Sequence, residues 1–148
     1  MKSIVIAVIS FFAFTLPNVV MADVQNVRFG ILKPLPDGSY EMGLETTHIP
    51  MHYKKSGFRF GVSFDNPSAD KIEWHEVVRL PKPLKTVSGA FVQSSETALT
   101  SPTQAGRDTH VVDNFWFDVG DPLGTHRFEL YVNGVLKYSI NFDVVKPE

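Results

Sequence analysis

From residue 27 onward the chain alternates apolar and polar positions with period two, and almost nowhere does it repeat near 3.6, which is the pattern of strands. Val27, Phe29 and Ile31 alternate with Arg28, Gly30 and Leu32. Pro36-Asp37-Gly38 then predicts a turn, because proline presets φ, aspartate bonds back to the backbone and glycine accepts positive φ. A returning strand follows through Tyr40, Met42 and Leu44. The clearest strand is Phe58 to Asp65, with Phe58, Phe60, Val62 and Phe64 on one face and Arg59, Gly61, Ser63 and Asp65 on the other, a half-buried pattern. Ile72 to Leu80 has a less regular face, and Pro81 and Pro83 close it, since neither donates to a ladder. Residues 109 to 119 form a further strand, and 125 to 144 a hairpin.

The register of that hairpin follows from which side chains must share a face. Phe128, Leu130 and Val132 alternate going up, and Leu136, Tyr138, Ile140, Phe142 and Val144 going down. A two-residue Asn133-Gly134 loop would set the apolar row of one strand beside the polar row of the other. A three-residue Val132-Asn133-Gly134 loop pairs Leu130 with Leu136 and Phe128 with Tyr138, with Gly134 left-handed, and is the expected register. About seven or eight strands with turn signals at roughly ten-residue spacing predict an all-β, antiparallel immunoglobulin-like β-sandwich, with a small closed barrel as the alternative.

The first residues read differently. Lys2 precedes an apolar run from Ile4 to Phe14, Pro17 and Asn18 stop it, and Val20-Met21-Ala22 offers small residues to a signal peptidase. Residues 1–22 are therefore expected to be a signal peptide cut before Asp23. The run is shorter than the roughly 20 apolar residues of a membrane span, so no span should remain after cleavage. Residues 23–148 have the length of one sandwich domain, periplasmic or secreted. With no cysteine, the exported chain must hold together by packing. A formal charge of −2 provides no cationic field for nucleic acid.

Phe29-Gly30-Ile31, Ile49-Pro50 with Phe60-Gly61-Val62, Phe115-x-Phe117, and Gly124-x-x-x-Phe128-Glu129-Leu130 with Phe142-x-Val144 resemble a short bacterial exported family of unknown function, of immunoglobulin-like β-sandwich type. The chain departs from it at His126, where the family often carries tryptophan. The resemblance implies the fold and assigns no catalytic or binding residue.

Candidate chemistry is sparse. His48 and His52 have helical ligand spacing, but Pro50 between them implies an extended segment that sets them about 13 Å apart, too far for one metal. Asp65-Asn66 with Asp70, and Asp118 with Asp121, lack the spacing of a calcium loop and suit Asx turns. No Gly-x-Ser-x-Gly turn, reactive cysteine or phosphate loop is present, so no catalytic residue, metal or cofactor is expected. An alternative hydrolase would assemble His110, Asp108 and Asp113 from loops.

Two surface features suit binding. Val111, Phe115, Phe117 and Val119 take one face of their strand, which sends Trp116 outward between Asn114 and Asp118. An exposed aromatic among polar groups is a stacking platform. Tyr131 lies on the outward face of the next strand, beside Trp116 if the two strands pair. The polar stretch Gln93 to Asp108, anchored only by Leu99, is expected to be mobile. The sequence thus points to a non-enzymatic module recognising a protein or saccharide in the cell envelope, with Trp116, Tyr131, Asn114 and Asp118 as its candidate binding residues.

Overall fold

The structure is a computed structural model and describes residues 23–84 and 91–148; the signal peptide expected over residues 1–22 lies outside these. Eleven strands and no helix occur among the described residues: β1 Gln25–Pro34, β2 Tyr40–Glu45, β3 His48–Pro50, β4 Phe60–Asp65, β5 Ile72–Arg79, β6 Val92–Ser95, β7 Ala98–Thr100, β8 Gln104–Gly106, β9 His110–Phe115, β10 Gly124–Val132 and β11 Val135–Val145. They build two sheets. One runs β2-β1-β4-β9, the other β3-β11-β10-β5-β7-β6, with β8 also on β5. Every pairing is antiparallel except β3 with β11. The sheets face each other as a sandwich and do not close into a barrel.

Alternation dictates what lies between them. Phe29, Val62, Phe64, Phe128 and Leu130 are all at most 1 % exposed, and Phe60, Phe117 and Phe142 join them. The phenylalanine rings interlock: Phe29 lies 4.9 Å from Phe142 and 5.2 Å from Phe128, and Phe60 stacks on Phe117 at 4.6 Å. Such offset and edge contacts add to plain area burial.

Several expectations need correction. Across β1 and β2, Ile31 faces Leu44 and Leu32 faces Met42, so Gly43 is the extra residue of a bulge on β2, and Leu32, expected outward, is buried. Leu44 on the edge strand β2 is 58 % exposed rather than buried. The strand with Phe58 begins only at Phe60, and Gly61 and Ser63 are buried too, since β4 lies between β1 and β9.

The hairpin turns through the two-residue loop that the parity argument rejected. Val132 pairs with Val135, and Asn133 and Gly134 take φ of 50° and 77°, a type I′ turn. The parity conflict is resolved one step later. Tyr131 faces Leu136 but Leu130 faces Tyr138, so Lys137 is the extra residue of a bulge and the apolar rows realign beyond it. Leu136, before the bulge, stays 44 % exposed.

The stretch Gln93 to Asp108, expected to be mobile, contributes to β6, β7 and β8. Ala98 is buried there, and Ser101 exchanges hydrogen bonds with Glu76, so polar anchoring replaces the missing apolar residues.

Candidate functional site

Two carboxylates interrupt apolar rows. On β5, Ile72, Trp74, Glu76 and Val78 share parity and point between the sheets; on β9, Val111, Asp113 and Phe115 do the same from the opposite sheet. Asp113 accepts a hydrogen bond from the Trp74 indole N–H at 2.6 Å, which ties the sheets across the interior. Glu76 is completely buried. Its Oε2 accepts the Ser101 hydroxyl at 2.5 Å, and its backbone N–H donates to the same Ser101 Oγ at 2.9 Å. Glu76 Oε1 is buried with no N–H or hydroxyl donating to it, and it faces the Asp113 carboxyl, with which the protonated Glu76 shares a hydrogen bond. Burial, then the neighbouring Asp113, push the Glu76 carboxyl up to about 9, against a smaller opposing pull from Ser101. At neutral pH it is a protonated acid.

These groups lie at the inner end of a cavity of about 350 Å³, partly open to solvent. Its walls include Phe60, Phe115, Phe117 and Phe142, and its outer rim includes the exposed Trp116, Pro102 and Gln104. Asn114, Asp118, Asp121 and His126 also line it. Asp121 accepts the Asp118 backbone N–H at 2.7 Å and returns its own N–H to the Asp118 carbonyl, a turn closed backwards rather than the expected Asx turn, and burial raises its carboxyl. His126 is buried and stacks on Phe142 at 5.2 Å; with its Nδ1 2.9 Å from the Gly124 carbonyl, burial holds the ring neutral by lowering its basicity.

Three of the four nominated residues thus surround one opening. Trp116 is 47 % exposed, as its parity requires, and the Arg59 guanidinium stands 5.2 Å from its ring centroid. Val119, assigned to the buried face, is 79 % exposed because the strand ends at Phe115.

Tyr131 is elsewhere. β10 pairs with β5 and β11, and β9 with β4, so Trp116 and Tyr131 belong to different sheets and do not form a joint platform. Tyr131 stacks on His75 at 5.0 Å and donates to Glu129, which Arg79 and Arg127 also hold. The Arg79 hydrogen bond, first of all, keeps the Glu129 carboxyl below its usual range.

A model of the PM0630 beta sandwich domain matches residues 27–145, which is most of the sequence. The chain belongs to that family. An immunoglobulin-like protein from Pseudomonas aeruginosa has a similar structure, with a TM-score of 0.52 at 14 % identity over 85 % of this chain and 99 % of that one. At that identity the likeness concerns the fold. No curated protein matches in sequence.

In this PM0630 domain the trio weighed for hydrolysis does not share a site. His110 turns outward, its Nδ1 2.6 Å from Asp65, while Asp113 turns inward to Trp74. Asp108 lies by Gly106, outside the cavity lining. Among the described residues no three His, Asp or Glu side chains converge as a metal site. The Asp65-Asn66-Asp70 cluster is a turn in which Asn66 donates to the Asp70 carbonyl.

Glu76, the residue at the cavity floor, carried a signal that the sequence reading passed over. It occupies the inward parity of a strand whose neighbours on that row are tryptophan and valine, and Asp113 does the same on β9. A carboxylate within an apolar row is the mark of a group buried for a purpose.

Proposed function

We propose that the protein is an exported, non-enzymatic binding module of the cell envelope, periplasmic or secreted, that takes the apolar body of a small ligand into the cleft between its sheets. The observation that carries this reading is the cavity itself: aromatic walls converge on the completely buried Glu76 carboxyl and the facing Asp113 between the sheets. Apolar walls with a few convergent polar groups are the usual form of a small-molecule site, and the volume lies at the lower end of that range.

A flat sheet face for a protein or saccharide has less support, because Trp116 and Tyr131 are on different sheets and the aromatic walls offer a sugar few hydrogen bonds. The hydrolase alternative has no assembled trio behind it.

Isothermal calorimetry with phenethyl alcohol, a neutral probe with an aromatic body and one hydroxyl, tests the reading. Saturable binding is expected, and Leu99→Phe, which adds bulk to the lining, should weaken it at least tenfold without lowering the melting temperature. No saturable heat with the parent protein would overturn the reading.

A further inference from the structure

One end of the sandwich gathers the β1–β2 turn, the segment between β3 and β4 and the segment after β9, since Phe60 at the start of β4 pairs with Ile31 on β1 and with Phe115 at the end of β9. Residues 51–59, between β3 and β4, carry Lys54, Lys55 and Arg59 together with His52, and contain no carboxylate. Tyr53, Lys54, Lys55 and Ser56 are all exposed, and the segment turns through Gly57 at φ of 79°. Among the described residues none of the three cations forms a salt bridge. They lie against rings instead: Lys54 Nζ is 5.5 Å from the Tyr53 centroid, and the Arg59 guanidinium is 5.9 Å from that of Tyr40 and 5.2 Å from that of Trp116. Carboxylates in the adjoining segments are engaged elsewhere. Glu41 pairs with Lys33, Asp37 accepts from Ser39, and Asp118 and Asp121 line the cavity. Lys146 and Glu148, which follow β11 beside β3, offset each other.

We propose that this end of the sandwich docks on a bilayer that carries anionic phospholipid, with Lys54, Lys55 and Arg59 at the headgroup phosphates and the Tyr53 ring among the headgroups. The surface is independent of the cleft between the sheets, because none of residues 51–59 lines the cavity.

The unpaired charge selects a negative partner, and the side chains that carry it select a membrane. Lysine and arginine lay apolar stems along an apolar boundary while their heads stay in water, and a tyrosine ring, apolar in its body and polar at its tip, settles at the membrane–water interface. Protein interfaces make little use of lysine at their centres. An anionic bilayer instead rewards each cation separately, every Lys or Arg near its surface raising affinity about fivefold. The formal charge of −2 on the whole chain does not oppose this, since charges further away than a Debye length of about 10 Å are screened.

Co-sedimentation of the protein with vesicles tests the proposal, using pure phosphatidylcholine and an equimolar mixture of phosphatidylcholine with phosphatidylglycerol. Partition onto the mixed vesicles should be at least about tenfold stronger than onto the neutral ones, and about 1 M salt, which shortens the Debye length to about 3 Å, should abolish the difference. Lys54→Gln combined with Lys55→Gln should lower partition onto the mixed vesicles at least about tenfold, and Tyr53→Ser should lower it at least about threefold. Lys71→Gln combined with Arg107→Gln removes the same charge at the opposite end, where Ile72 pairs with Gly106, and should leave partition within about twofold of the parent. All five side chains are exposed, so the melting temperatures should match the parent. Equal partition onto neutral and mixed vesicles, or a Lys54→Gln, Lys55→Gln protein that partitions like the parent, would overturn the proposal. So would displacement from the vesicles by soluble glycerol phosphate at the same headgroup concentration, which would make a free phosphate the occupant.

Discussion

Glu76 has no solvent access, so its proton is held by surroundings that penalise the anion. The unfolded chain releases that proton near 4.5 and the folded chain keeps it to about 9. Folding therefore binds a proton across the interval, and stability falls as pH rises, by up to about 1.4 kcal/mol per pH unit. His126 acts in the opposite sense and at lower pH: its lowered basicity makes stability fall as pH drops below 6.5. Asp113, Asp118 and Asp121, the other titratable groups around the cavity, are carboxylates, and burial raises that of Asp121. Melting curves between pH 7 and 9 should show the parent losing stability with rising pH, and Glu76→Gln should flatten that decline. A parent protein whose melting temperature is constant over this window would mean that Glu76 is ionised at neutral pH. Trp116 gives the complementary test. Being 47 % exposed, its replacement by alanine should cost under about 1 kcal/mol, and a neutral quencher should reach it while sparing the buried Trp74. A loss of about 3 kcal/mol or more would make it a packing residue.

Among the elements, β4 and β9 determine where the cavity floor lies. Gly61 on β4 faces Asn114 on β9, and a Cβ at Gly61 would come within 2.0 Å of the Asp113 carbonyl oxygen. Gly61→Ala should therefore push the strands apart, destabilise by about 1 to 3 kcal/mol and displace Asp113 from Trp74. Unchanged stability would show that the two strands do not approach so closely. Phe117→Ala, removing a ring stacked on Phe60, should cost about 3 to 5 kcal/mol in the same thermal assay. These strands were legible because their rows are strongly apolar on one side: Phe60, Val62 and Phe64, then Val111, Phe115 and Phe117. The hairpin was legible in place but not in register. Parity fixes that the two apolar rows must meet, yet it does not say whether the extra residue sits in the turn or, as Lys137 does, just beyond it. The short strands β6, β7 and β8 were hidden because backbone pairing and Ser101 hold them rather than an apolar periodicity.

At the scale of the whole molecule, the two-sheet sandwich follows from alternation and turn spacing, while the site depends on which strands become neighbours across the interior. That is why Trp116 was found and its proposed companion Tyr131 was misplaced: outward parity is a local property, whereas sheet membership is a global one. Glu76 and Asp113 come together only when the two sheets face each other, though each already stood out as a charge within an apolar row. Export belongs to this scale too. Intact mass of the protein recovered from the cell envelope should correspond to a chain beginning at Asp23, and retention of residues 1–22 would contradict cleavage there. The central claim, that the interior of the sandwich receives a ligand, is tested most directly through the two tryptophans of the chain, Trp74 hydrogen-bonded to Asp113 of the cavity lining and Trp116 at the rim. In a proton–nitrogen spectrum of the protein, titration with phenethyl alcohol should shift both indole N–H resonances along a single saturable curve. A Trp74 resonance that stays fixed at saturating probe would contradict entry of the ligand between the sheets.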